Sequence, residues 1–121
     1  MREIGFFAIT RDMFAGDWEV RARRAGGASS GGPFDAAREI TIGDGRLTLR
    51  CEQGAELSGE WSVTHNDDLL RRPYLELVVG EARTRALITR LRRTEDGARS
   101  ILNLYLADGS ELELVREPGG R

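Results

Sequence analysis

The fold is decided by residues 46–65, which read RLTLRCEQGAELSGEWSVTH. Apolar and polar side chains alternate through 46–52, a turn follows near Gly54, and the alternation resumes over 57–65. Successive side chains of a strand point to opposite faces, so this period of two predicts two antiparallel strands with one buried and one solvated face. Trp61 falls on the buried face of the second strand, which has the most regular pattern in the chain.

The same alternation recurs along most of the chain in short segments separated by turn signals. Asp44-Gly45, Asp96-Gly97 and Asp108-Gly109 are typical of tight hairpin turns, because both residue types accept a positive φ. The alternating segments are 17–23, 37–42, 46–52, 57–65, 74–79, 83–92, 100–106 and 111–117. Their spacing suits a barrel or a sandwich. We predict an all-β, eight-stranded antiparallel up-and-down barrel, because closure removes the exposed edges of a sheet.

Two stretches and one strand fall outside this simple pattern. Residues 4–14 are rich in apolar side chains, and we expect them to plug one barrel end, with a helical turn over 11–15 that begins at Thr10. The Gly/Ser-rich stretch 25–35 is either a lid or a linker. In 83–92 the phase is ambiguous, because apolar residues occur in both sets of alternating positions.

Composition bounds the class of protein. The 121 residues predict one domain over 1–121. The net charge of −2 argues against a nucleic-acid partner, which normally requires a strongly basic field. A single cysteine allows no internal disulfide, and no apolar run is long enough for a signal peptide or a membrane span, so we expect a cytoplasmic protein. One histidine and one cysteine give no metal-ligand spacing, and no cofactor is predicted.

Three residues carry a resemblance to a known family. Gly16-Asp17-Trp18 follows the predicted helical turn and opens the first strand, and Arg116 lies in the inward phase of the last strand. This pairing resembles the calycin superfamily, the lipocalins and fatty-acid-binding proteins with their small bacterial relatives. The resemblance implies a lipocalin-like barrel in which Arg116 packs across Trp18 where the sheet closes. A second Gly-x-Trp, Gly59-Glu60-Trp61, leaves open which copy starts the barrel.

The predicted interior supplies the candidate binding residues. Small Ala22, in the phase of Trp18, would leave room inside. Arg90 could hold a carboxylate if it faces inward, and it reaches solvent if it lies on the outer face. His65 would lie near a barrel mouth, either as a ligand group or bonded to neighbouring turn residues. The candidates for a cavity lining are Trp61, His65, Leu77, Arg90, Leu104 and Tyr105.

Three functions suit such a barrel. The first is binding of a small apolar or carboxylate-bearing molecule, since an eight-stranded barrel is just wide enough for one small ligand. The second is an interaction or inhibitor module with a filled barrel, acting on a protein partner or as a homodimer. The third is a lipocalin-like cyclase or isomerase, for which His65, Arg90 and Tyr105 would be the first residues to test.

Overall fold

The computed structural model describes residues 1–24, 34, 37–64, 73–106 and 109–117. Within these residues the chain forms nine strands, with two 3-10 turns near the N-terminus. The strands are β1 (Arg2–Glu3), β2 (Gly16–Arg24), β3 (Ala37–Ile42), β4 (Arg46–Cys51), β5 (Glu56–Thr64), β6 (Tyr74–Val79), β7 (Ala82–Arg93), β8 (Ser100–Leu106) and β9 (Glu111–Arg116). None of the described helical segments has the length and apolarity needed to cross a membrane.

Strands β2 to β9 form a closed, eight-stranded antiparallel up-and-down barrel, as the alternation predicts. Each strand pairs with the next along the chain, and β2 pairs with β9 to close the sheet. The pairing of Leu49 with Leu57 shows the predicted hairpin of β4 and β5, with a turn that contains Gly54 at a φ of 89°. The first and last barrel strands are therefore neighbours.

The barrel interior of the described residues holds one apolar cluster. Leu49 and Leu102 are fully buried, and Trp18 is exposed by only 1%. The cluster comprises Ile9, Phe14, Trp18, Phe34, Ala37, Ile40, Ile42, Leu47, Leu49, Trp61, Leu75, Leu77, Val79, Ala86, Ile88, Leu91, Leu102, Leu104, Leu106, Leu112 and Leu114. Each large aliphatic or aromatic side chain that is fully buried contributes about 1.5–3 kcal/mol. The inward phases predicted for most strands are those that the structure shows.

The N-terminal segment closes one barrel end as an apolar plug. Ile9 and Phe14 are buried in the core, and β1 pairs with the end of β7. Phe6–Ala8 forms a 3-10 turn in this segment, in addition to the helical turn that was predicted over 11–15. The second turn, Arg11–Phe14, is also 3-10, and the Thr10 side chain makes no capping hydrogen bond to it. Burial of the apolar side chains, rather than a cap, holds this segment in place.

Bulges interrupt the alternation in β2, β3 and β7. In β7, Ile88 pairs with Leu104 and Arg90 with Asn103, so Thr89 is an extra residue without a partner in β8. In β2, Val20 pairs with Leu114 and Ala22 with Glu113. An extra residue shifts the phase of every side chain that follows it. The ambiguous pattern over 83–92 is explained by this shift.

The bulge in β2 also corrects the prediction for Ala22. The alternation from Trp18 places Ala22 inside, but the shift after Val20 sets it opposite Glu113 on the outer face. Ala22 is exposed to solvent. It therefore leaves no room in the core.

Candidate functional site

The strands that close the sheet meet at Trp18 and Arg116. The guanidinium carbon of Arg116 lies 4.9 Å from the centroid of the Trp18 ring, within the range of a cation–π contact. Its Nη1 donates to the carbonyl oxygens of Met13 and Ala15, and its Nη2 donates to the Ser100 hydroxyl at 3.1 Å. Burial, reinforced by the charge of Arg93, lowers the pKa of Arg116. One arginine thus ties the plug, the first strand and the last hairpin together.

Gly16 is needed for this closure. Its φ is 129°, a conformation that residues with a Cβ rarely adopt. A Cβ placed on Gly16 would lie 2.8 Å from Cδ of Arg116. Because β2 begins at Gly16, the first Gly-x-Trp is the copy that opens the barrel.

The second Gly-x-Trp, Gly59-Glu60-Trp61, lies in the middle of β5 and has a different structural role. A Cβ on Gly59 would come within 2.1 Å of the Val78 carbonyl oxygen, so Gly59 permits a close approach of β6. The Trp61 indole donates from Nε1 to the Gly43 carbonyl oxygen at 2.8 Å and packs edge-on against Phe14. Trp61 therefore joins the plug and the turn after β3 to the barrel wall.

The candidate cavity residues divide between the two faces of the sheet. Trp61, Leu77 and Leu104 lie inside and are buried within the packed cluster. Arg90 and Tyr105 were candidates for the interior, but both are exposed on the outer face, where Arg90 lies opposite Asn103 and Tyr105 opposite Glu111. For Arg90 the physical reason is the bulge at Thr89, which moves it outward. The prediction for His65 lies outside the described residues.

The outer face carries a groove of about 390 Å³ across β7, β8, β9 and β2. A single row of paired residues runs through it, from Arg90 through Asn103 and Glu113 to Ala22. The bulges of β7 and β2 lie at the two ends of this row. The charged residues that line the groove are Arg23, Arg24, Arg90, Arg92, Glu111 and Glu113. Four arginines against two glutamates give it an excess of positive charge.

Two smaller outer grooves lack such an excess. One, of about 240 Å³, lies where β2 diverges from β3 and is lined by three arginines and three glutamates. The other, also about 240 Å³, lies between β1 and the turn after β7, where two arginines meet one glutamate and one aspartate. Only the groove across β7, β8, β9 and β2, called the arginine groove below, combines this volume with net positive charge among these three.

A hydrogen-bond network holds the floor of the arginine groove. Arg21 donates from Nε to Oε2 of Glu113 at 2.8 Å, and Asn103 donates from Nδ2 to Oε1 at 3.3 Å. The Asn103 side-chain oxygen accepts from Nη2 of Arg92 at 3.3 Å. The hydrogen bond from Arg21, helped by Asn103 and the charge of Arg92, lowers the pKa of Glu113 against the opposing effect of burial. Glu113 is therefore ionised at neutral pH and fixed in position.

The arginines of the groove keep donors for a further acceptor. Arg90 donates from Nε to Glu3 at 3.1 Å, but both side chains are half exposed, so this ion pair is weak. A guanidinium has five N–H donors in a planar fork that matches a carboxylate or phosphate. The arrangement is suited to binding an anion.

Only one charged residue of the arginine groove, Arg90, was predicted from the sequence as a binding residue. Arg90 was singled out for binding a carboxylate, but for the interior rather than for the outer face. Arg92 and Asn103 were visible as polar residues in strands, and no local signal shows that β8 places them next to Glu113. In the described residues, no group of three or more His, Cys, Asp or Glu side chains is arranged to hold a metal ion.

Comparisons of this chain with protein-family models, with curated proteins and with solved structures find no match in any of the three. The geometry of the barrel and of the arginine groove is therefore the basis for the functional argument.

Proposed function

We propose that this protein is a small-molecule binding barrel that takes an anionic ligand in the arginine groove on its outer face. The observation that carries the proposal is the excess of arginines in a groove of about 390 Å³, which lies within the size range of ligand pockets. The bound group is a carboxylate or a phosphate, because only such groups accept paired hydrogen bonds from a guanidinium fork.

Kinship with the calycin superfamily is part of this proposal. It is supported by the closed eight-stranded barrel and by Trp18 and Arg116, which lie together where β2 meets β9. Gly16 supports it as well, since its position directly against Arg116 leaves no space for a side chain. In this proposal the chain keeps the architecture of that superfamily and moves the ligand from the interior to the outer face.

The packing of the interior favours the outer site. The side chains at the centre of the barrel are large and closely packed, and Ile88, Leu91 and Leu102 are exposed by no more than 1%. A ligand inside the described part of the barrel would have to displace them, at a cost of several kcal/mol. A ligand in the arginine groove displaces no buried side chain and competes only with exposed ion pairs such as that of Arg90 with Glu3.

The proposal is tested by titrating the protein with octanoate and with inorganic phosphate, using calorimetry at low salt. We expect saturable binding of at least one of them, because exposed anion sites gain strength when screening is low. The substitution Arg92→Gln should weaken that binding about tenfold, the equivalent of one charge-assisted hydrogen bond.

The matched control is Arg83→Gln. Arg83 lies on the same strand and is exposed, but it pairs with Val78 and is not part of the groove. It should leave the affinity unchanged. Equal weakening by the two substitutions would mean that the anion responds to overall charge rather than to the groove, and would overturn the proposal.

A protein partner with an acidic segment is the second candidate. Tyr105 favours it, because it is 42% exposed beside Glu111 at the rim of the groove, and tyrosine and arginine are enriched at protein interfaces. We would favour this candidate over a small ligand if an oligo-glutamate peptide binds at least tenfold more tightly than octanoate. The substitution Tyr105→Ala should then abolish this difference in affinity.

A further inference from the structure

The arginine groove presents cationic groups at two separate places rather than at one. Arg90 and Arg92 extend from β7, and Arg24 extends from β2 on the opposite side. Strands β8 and β9 lie between these two walls. The two cationic places are therefore separated by the width of two intervening strands.

The contacts that hold these arginines leave both places open to a ligand. Arg24 reaches Glu111 only at 3.8 Å, and the two side chains are 80% and 50% exposed. The side chains of Arg90 and Glu3, which form a second ion pair, are 50% and 59% exposed. Exposed ion pairs of this kind contribute little, so a ligand anion can replace them at low cost.

The centre of the groove offers no free cation to an anion, because Arg21 is already paired with Glu113 there. Glu113 lies there, and its carboxylate is fixed by Arg21 and Asn103 rather than free to turn away. A like charge placed beside it would be unfavourable. The part of a ligand that crosses the centre must therefore be uncharged, while its anionic groups lie toward the two walls.

Given the proposed function, we infer that the ligand is a linear dianion, with one acidic group held by Arg90 and Arg92 and the other by Arg24. Neighbouring strands lie about 4.8 Å apart, so the backbones of β2 and β7 are separated by roughly 14 Å along the sheet. Arg92 reaches toward β8, where it contacts Asn103, and Arg24 reaches toward β9, where it contacts Glu111, so we place the two acidic groups about 10 Å apart. The ligand class is an α,ω-dicarboxylate or a chain with a carboxylate at one end and a phosphate at the other.

The test is a series of α,ω-dicarboxylates, from succinate through adipate, suberate and sebacate to dodecanedioate, titrated calorimetrically at constant ionic strength. We expect affinity to rise to a maximum near suberate and sebacate. At that maximum it should exceed the affinity of octanoate or decanoate on the order of tenfold, because the second acidic group binds within an already formed complex. The substitution Arg24→Gln should remove this gain, and Arg83→Gln should preserve it.

The possible failures are distinguishable. If octanoate and decanoate bind as tightly as every dicarboxylate, the site takes a single anion, and this inference is wrong while the proposed function stands. If affinity rises steadily with the number of methylene groups and Arg24→Gln has no effect, apolar contact rather than a second cation determines binding, and the inference is also wrong. If no dicarboxylate binds but octanoate or inorganic phosphate does, the inference alone is wrong, and if none of these anions binds, the proposed function fails together with the inference.

Discussion

The inner and outer faces of β7, β8, β9 and β2 differ in packing: the inner face is filled with apolar side chains, and the outer face carries a polar groove. On the inner face, Ile88 and Leu102 are fully buried and leave no space. On the outer face of the same strands, Arg90 and Asn103 line a groove. The difference teaches that the apolar face of each strand is used for stability, and in our proposal only the polar face is available for binding.

The bulge at Thr89 determines which side chains of β7 after Ile88 face inward and which face outward. Single-residue deletions in β7 test this, and they have the largest expected effect on stability. Removing Thr84 from the regular half of β7 should abolish folding, because a shift of one residue sends the following side chains to the wrong face. Removing Thr89 should leave a folded barrel, because Ile88 stays inside and Arg90 outside. Circular dichroism and urea denaturation measure the outcome.

One hydrogen bond of Thr89 determines how much stability its deletion should cost. Its hydroxyl donates to the Asn103 carbonyl oxygen at 3.2 Å, so its deletion should cost about 1 kcal/mol. If the two deletions destabilise the protein equally, Thr89 is not an extra residue, and the assignment of Arg90 to the outer face loses its explanation.

A neighbouring pair on β8 compares the two faces directly. Leu104→Ala should lower the free energy of unfolding by about 2–5 kcal/mol, because it leaves a cavity in a packed core. Asn103→Ala removes side-chain hydrogen bonds at a half-buried site and should cost about 1 kcal/mol. Chemical denaturation of both variants measures the two losses in the free energy of unfolding. A Leu104→Ala variant as stable as the wild type would indicate a loosely packed interior.

The smallest expected effect concerns Glu113 and pH. Its pKa is lowered below the ordinary value of 4.5 in the folded protein, chiefly by the hydrogen bond from Arg21. A group with a depressed folded pKa stabilises the fold above its unfolded pKa, and this contribution is lost as the pH falls through the folded pKa. Wild-type stability should therefore decline below about pH 4.5 more steeply than that of Glu113→Gln.

The control for this pH dependence is Glu111→Gln, whose carboxylate contacts Arg24 only at 3.8 Å. Urea denaturation at several pH values should show its acid-induced loss to be as steep as that of the wild type. A Glu113→Gln variant with an unchanged pH dependence would show that the network on the groove floor contributes nothing to stability.

Most of the barrel could be predicted from the sequence because its signals are local. Alternation marks the strands, Asp-Gly pairs mark turns, and the apolar N-terminal residues indicate the plug. The bulges could not be predicted, because an extra residue such as Thr89 is not distinguishable by type from its neighbours. The arginine groove depends on those bulges and on pairing between strands. Arg90 was therefore recognised as a candidate binding residue, but Arg90, Tyr105 and Ala22 were all considered for the interior and lie on the outer face.

The central claim is that ligand binds outside a filled barrel, and nuclear magnetic resonance with sebacate tests it most directly. The account predicts shifts of the Asn103 side-chain amide and the Arg92 guanidinium at saturation, with the methyl groups of Leu77 and Leu49 unchanged. Nuclear Overhauser contacts from sebacate methylenes to those leucine methyls or to the Trp61 ring would place the ligand inside and contradict it.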